Sequence, residues 1–299
     1  MVISNDKVVY KMSGSNQPAA VCKDGDTVTF ETFDCFGGQI VSEKQRMEGL
    51  DWDHINPATG PLFVEGAEPG DVLKVEICRI GLADHGVIAE APGDGVTGKV
   101  LKDDATRIIP VHDGQVFFNE KLTFPVKAMI GVIGTAPAGG QEIPTGTPDL
   151  HGGNMDCNQI GESTTLYLPV NVPGALLAMG DMHAAMGNGE VCVCGVEIAG
   201  RITVRVSVLK DCAYPTPFLV TEDKAMAIYS APTLQEAAEG ATLRMRQFLI
   251  DELGMDEHES GFLLSTAGDV EICQCVDPQL TCRMEISRYI TKQYGFCFR

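Results

Sequence analysis

Basic side chains are scarce in this chain: 22 Lys and Arg stand against 41 Asp and Glu. The resulting formal charge of −19 at pH 7 argues against a nucleic-acid partner, because that binding depends on cationic side chains neutralising phosphates. No apolar run approaches the ~18 residues that a membrane-spanning helix needs. The opening stretch "MVISNDKVVYKMSGSN" also lacks a continuous apolar core of signal-peptide length. A cytoplasmic protein without a membrane partner is expected. Equally absent are the Gly-x-Ser-x-Gly nucleophile elbow, the phosphate-binding P-loop and a dinucleotide fingerprint following a strand.

Glycine and proline are plentiful, at 33 and 16 residues of 299, which points to many turns and a mainly β fold. The length leaves open one large β-rich domain or a large domain with a smaller one. Eleven cysteines are an odd number, and several lie inside apolar runs such as "VCVCGVEI" and "EICQCV", where small buried thiols are common. They read as reduced core residues. The pairs Cys192/Cys194 and Cys273/Cys275 are more tightly spaced than the roughly two to four intervening residues usual in structural zinc sites.

Along the chain, "KVVYKM" and "DTVTFETF" read as two strands of a meander. Turn dipeptides at Asn56-Pro57, Gly60-Pro61 and Pro69-Gly70 precede a strand with Leu73, Val75 and Ile77 on one face and Lys74 and Glu76 on the other, as at the edge of a sandwich or barrel. From 84 to 121 the pattern fades into a long loop, either beside a site or simply irregular surface. An apolar strand at about 127–134 and a second loop lead to His151 and Asp156. The stretch "STTLYLPVNVPGALLAMGDMHA" reads as a hairpin turning at Pro173-Gly174. Ile202, Val204, Val206 and Val208 mark one face of an inner strand. Beyond about 215, Thr233 and Glu236 have capping-box spacing; Leu234, Ala237, Ala238, Ala241, Met245, Phe248 and Leu249 share a helical face that stops at Gly254. A further helix near "DEHESGFLLSTAG" and a strand "DVEICQCV" follow. The expectation is a mainly β fold, with a β-sandwich or jelly-roll-like core over 1–215 and an α+β segment over 216–299.

Candidate chemistry gathers in two clusters. In "GDMHAAMGNGE", Asp181 and His183 point to one face of an extended strand, about 7 Å apart along it, and converge readily on one ion. Alone, Asp-x-His is more often a plain hydrogen-bonded pair. The second cluster, "HGGNMD", places His151 and Asp156 around the Gly152-Gly153 turn, and the hairpin would set the clusters on neighbouring strands. Together they offer the nitrogen and oxygen ligands that suit zinc. Glu190, folded back by Gly187-Asn188-Gly189, is either a base beside a metal-activated water or a solvated turn residue. Asp34 in "ETFDCFGGQI" suits a turn cap or a further ligand. His54, His85, His112 and His258 read as loop or surface residues. On the residues alone three classes stay open: a hydrolase, a cupin-like metal-dependent oxygenase or isomerase, and a non-catalytic β module binding a small ligand. A cupin-like site usually wants a second histidine where Asp181 stands.

The segments "ETFDCFGGQI", "INPATGPLFVEGAEPGDVL", "HGGNMDCNQIGESTTLYLPVNVPGALLAMGDMHAAMGNGEVCVCGVEI" and "TCRMEI" resemble, in order and form, those of the acetamidase/formamidase family. The resemblance runs from about residue 28 to about 290. It implies a β-sandwich with a C-terminal α/β segment and hydrolysis of a small neutral amide, formamide or acetamide, to carboxylate and ammonia, with some relatives acting on small lactams. It also implies a divalent metal, zinc being expected and calcium held open as a second ion. Asp34, His151, Asp156, Asp181, His183 and Glu190 stand at the family's polar positions, accompanied by Asn154 and Gly152-Gly153. On this reading His151, Asp156, Asp181 and His183 hold the metal and Glu190 is the base. Asn154 or backbone N–H groups at Gly152-Gly153 support the oxyanion, and Asp34, Gly152 and Gly153 serve substrate binding or add a ligand. Two departures are Asn188, where many relatives carry Asp, and Met186, where Gln is frequent. Exposed strand edges make a homo-oligomer the expected assembly.

Overall fold

Alternating Val, Ile and Leu residues put much of the chain into strands. They form two large sheets in a computed structural model that describes residues 1–299. The first sheet has nine strands in the order Val2–Ile3, Thr27–Thr32, Gly200–Leu209, Val72–Leu82, Thr165–Pro169, Phe218–Val220, Lys224–Ala231, Leu280–Ser287 and Gly268–Gln274. Only the first pair is parallel. Strands of the segment beyond 216 therefore extend this sheet, because Phe218–Val220 pairs with Thr165–Pro169. The second sheet has eleven strands. Its central path runs His85–Glu90, Glu197–Ile198, Leu177–His183, Met129–Gly134 and Gly152–Asn154, and Ala58–Val64 branches from Leu177–His183.

The sheets pack face to face. Val75, Ile77, Ile202, Val204 and Leu166 from one, and Ile109, Ile130, Met179 and Met182 from the other, lie fully buried in one apolar cluster. Removing these side chains from water is the main force joining the layers. Because side chains alternate across a strand, Tyr167 points away from Leu166 and Leu168 and enters a second cluster with Tyr214, Phe218 and Phe248. There the helix Leu234–Leu253 covers the outer face of the nine-stranded sheet, with Phe248 and Phe218 ring centroids 4.8 Å apart. The helix begins where Thr233 Oγ1 accepts the Glu236 N–H at 3.2 Å and ends at left-handed Gly254. Ala237, Ala241, Met245, Phe248 and Leu249 are its buried face. A second helix, Glu257–Ala267, precedes the edge strand Gly268–Gln274. No helix is long and apolar enough to cross a membrane.

Four sequence expectations need correction. "KVVYKM" and "DTVTFETF" form no meander: Val8–Val9 pairs in the eleven-stranded sheet and Thr27–Thr32 in the other. Val72–Leu82 is an interior strand between Gly200–Leu209 and Thr165–Pro169, not an edge. The stretch 84–121 contains three strands, His85–Glu90, Ala105–His112 and Gln115–Asn119, with loop between the first two. The proposed hairpin at Pro173-Gly174 is a crossing between sheets: Thr165–Pro169 belongs to the nine-stranded sheet and Leu177–His183 to the other. The turn is made by three successive residues with left-handed φ, Gly174, Ala175 and Leu176, at 76°, 59° and 58°.

Candidate active site and metal centre

Three adjacent strands carry the site. Met129–Gly134 lies between Leu177–His183 and Gly152–Asn154, with Met129 opposite His183 and Val132 opposite Asn154. The two His/Asp clusters thus meet across one intervening strand. Gly131 stands at the crossing, where a Cβ would come within 2.4 Å of Asp156 Oδ1 and 2.5 Å of Asp181 Oδ2. Such separations are inside hard-sphere contact, so only glycine leaves room for both carboxylates. Asp156, Asp181 and Glu190 all have left-handed backbone, with φ of 44°, 52° and 47°. That region costs energy outside glycine and concentrates at functional positions.

His183 Nε2 is ringed by acids: Glu197 Oε2 at 3.0 Å, Asp181 Oδ1 at 3.4 Å, Asp156 Oδ1 at 3.9 Å and Glu190 Oε1 at 4.0 Å. Asp277 joins them from the C-terminal segment, where its Oδ2 accepts Asn154 Nδ2 at 2.9 Å. Cys35 Sγ closes a second group with Asp181 and Glu197. Asp181, Glu190, Glu197 and Asp277 line a cavity of about 620 Å³ that reaches the surface beside Trp52. A wider hollow of about 880 Å³ elsewhere, lined by Glu31 and Arg201, holds only an exposed ion pair and no buried acid.

Burial and mutual repulsion govern the protonation of this cluster. Desolvation, with repulsion from Asp181 and Asp156 respectively, drives the Asp156 and Glu190 carboxyls well above their ordinary range. Glu197 is pushed to about 7 by burial, against the pull of His183. Asp277 is pushed to about 8 by burial and Asp181. For His183 burial opposes the charged ring, but the carboxylates of Glu197 and Asp181 outweigh it and raise the imidazole well above normal. Both oxygens of Asp156, both nitrogens of His183 and Oε2 of Glu197 are buried without a hydrogen-bond partner, the 3.0 Å approach of His183 Nε2 to Glu197 being poorly aligned for one. Each such orphan costs ~1–3 kcal/mol, and a divalent cation at the centre would satisfy His183 Nε2 and the carboxylate oxygens while cancelling the carboxylate repulsion. The residues fit a metal.

The predicted residues divide clearly. Asp156, Asp181, His183 and Glu190 come together. His151 is 2% exposed with both ring nitrogens unpartnered, yet lies outside the metal-competent groups; burial lowers its imidazole to about 4. Asp34 caps its own turn, its Oδ1 accepting the Gly38 N–H at 2.9 Å. Burial raises its carboxyl, with Asp181 adding to the effect. Gly152 and Gly153 have φ of 97° and 85°, and the Gly152 N–H is already bonded to Asp149 O at 3.0 Å. Asn188 faces away from the acids, bonded to Glu271 at 3.2 Å and to Arg283 at 3.0 Å. The adjacent Gly189 is tied by backbone to Cys273 and Cys275. His54, His85, His112 and His258 are exposed. All eleven cysteines are free. Sequence reasoning missed Gly131, Cys35, Glu197 and Asp277; the one available signal was Glu197, a lone acid inside the apolar run "CGVEIAG".

The sequence matches the acetamidase/formamidase family over residues 15–144 and 139–231. The chain belongs to that family. An acetamidase from Bacillus halodurans has the same fold, with a TM-score of 0.97 and 46% identity, covering 99% of this chain and 100% of that one. An acetamidase from Yersinia enterocolitica gives 0.91 and 31%, covering 97% and 92%. A formamidase from Methylophilus methylotrophus is 28% identical over 253 residues, 64% of this chain and 61% of that protein. The chain spans about three fifths of the length of the curated relatives it matches.

Proposed function

We propose that this chain hydrolyses a short aliphatic primary amide of the formamide or acetamide type to carboxylate and ammonia. The observation that carries the reading is the ring of buried carboxylates around His183, with both oxygens of Asp156 and one of Glu197 unpartnered, opening into a cavity in a chain of this family. Asp156, Asp181 and Glu197, which lie within 3.9 Å of His183 Nε2, would hold a divalent ion together with that nitrogen. When bound, such an ion lowers the pKa of a water and polarises a carbonyl. The imidazole nitrogen and the nearby Cys35 thiol favour zinc over calcium, which takes oxygen ligands.

Glu190 is the proton carrier. Its carboxyl lines the cavity 4.0 Å from His183 Nε2, placed to take a proton from the attacking water once an ion beside it offsets the burial and the Asp156 charge that raise it. It then returns that proton to the departing nitrogen, since an amide anion is a very poor leaving group. Asn154 Nδ2 is committed to Asp277, whereas its buried Oδ1 is free and accepts an N–H of the substrate amide. The test is stoichiometric: acetamide should yield ammonia and acetate in equal amounts. Failure to form either product from acetamide or formamide would sink the reading.

Gly131→Ala provides a second check. The added methyl must displace Asp156 or Asp181, and a displacement of about 1 Å in a catalytic group costs ~10²-fold in rate. A corresponding drop in kcat/KM is expected with the circular dichroism unchanged. Full activity in this variant would mean that the two carboxylates need not close over the strand.

A further inference from the structure

The cavity is far larger than the substrate the family name suggests. Counting about 30 Å³ for each water-sized group, acetamide occupies roughly 100 Å³, against about 620 Å³ available. Above the acids the walls include Tyr10, Phe36, Met47, Trp52, Ile55 and Pro278. These come from separate parts of the chain. Trp52 is the only tryptophan and, 54% exposed on the cavity wall, leaves its ring face open to a stacking partner.

Its short 3-10 turn, Trp52–His54, is fixed from several sides. Gln39 Oε1 accepts the Asp51 N–H at 2.8 Å and Gln39 Nε2 donates to Asp51 O at 3.2 Å. Asp51 caps Asp53 N at 3.2 Å. The Asn56 N–H donates to Cys35 O at 2.7 Å, which ties the turn to the metal-competent cluster. Tyr10 meets the His54 ring edge-on at 4.9 Å. An aromatic and apolar wall on a well-tied turn therefore continues outward from the carboxylates. Asp53 and Asp94 outnumber Lys11, the one cationic side chain on the same walls, and oppose an anionic substituent.

We infer that the preferred substrate is an uncharged primary amide whose acyl group carries an aromatic or similarly ring-sized apolar substituent, with Trp52 as a specificity-determining residue that stacks on it. This rests on the amide hydrolysis proposed above and extends its substrate class beyond short aliphatic acyl groups. Water adds to the carbonyl carbon, the C–N bond breaks, and arylacetate and ammonium leave, so no co-reactant beyond water is needed.

The first test compares ammonia release from 2-phenylacetamide and acetamide by the full chain supplied with zinc. The expected kcat/KM ratio is at least tenfold in favour of phenylacetamide. Trp52→Ala should lower that ratio about tenfold by raising KM for phenylacetamide far more than it raises KM for acetamide. An equal or reversed ratio, or a Trp52→Ala variant that impairs both amides alike, would overturn the inference while the amidase reading stands. The second test is independent of turnover: with one tryptophan in the chain, its emission reports on this wall alone. Titrating 2-phenylacetamide into the full-length Glu190→Gln variant should shift Trp52 fluorescence saturably, whereas acetamide should not. Emission unmoved by phenylacetamide would contradict stacking. A saturable shift without ammonia release from any amide by the unaltered chain would keep the aromatic subsite and overturn the amidase reading.

Discussion

Replacing Glu190 with glutamine is expected to lower kcat for acetamide by about 10²–10⁴-fold, the range for a lost general acid–base group, while the protein keeps its bound metal. The substitution preserves shape. It removes only the ability to take up a proton at a buried site 4.0 Å from His183 Nε2. The left-handed backbone of Glu190, the Gly187-to-Glu190 turn and the backbone ties of Gly189 to Cys273 and Cys275 do not depend on the carboxylate, so the loop should keep its course. Steady-state kinetics with metal analysis of the same sample checks this. A kcat within about threefold of the unaltered protein would assign the proton transfer to another group, and loss of the metal would make Glu190 a ligand.

The second large effect concerns stability. In the metal-free protein Glu197 titrates at about 7 and Asp277 at about 8, both raised chiefly by burial. Unfolded, these side chains titrate near 4. Between those values the folded chain binds more protons than the unfolded one, so stability falls as pH rises from about 4 and levels off above about 8. Chelated protein should therefore lose Tm steadily between pH 5 and 8. Bound metal replaces those protons as the compensating charge, and its affinity grows as the ligands deprotonate, so the loaded protein should not show the same fall. Thermal unfolding at several pH values, with and without chelator, measures the difference. Parallel pH profiles for the two forms would mean that the acids do not hold the ion.

Local signals in the sequence carried well wherever one element decided the outcome. Thr233, Glu236 and Gly254 bound the long helix, and Ile202, Val204 and Val206 mark a strand by simple alternation. The C-terminal end of a buried strand was legible as the position of Asp181 and His183. What failed was the assembly of strands. Leu166–Leu168 and Leu177–Met182 are apolar on both faces, so nothing in their periodicity says that they lie in different sheets. Gly131 looked like one small residue in an apolar run, since its role depends on two carboxylates brought in from other strands. Asp277 reaches the site from the far end of the chain, through the strands that pair with Leu280–Ser287. His151 is buried with both ring nitrogens unpartnered, and with left-handed turns at Gly152, Gly153 and Asp156 its closeness in sequence to Asp156 says nothing about whether the two share an ion.

The central claim is that a divalent ion held by the His183 carboxylate ring makes this fold an amide hydrolase. It is tested most directly by following ammonia release from acetamide and 2-phenylacetamide by purified protein, before chelation, after chelation and after return of zinc. The account predicts activity that disappears with the ion and returns near one equivalent per chain. Undiminished ammonia release from protein shown to be metal-free would contradict it.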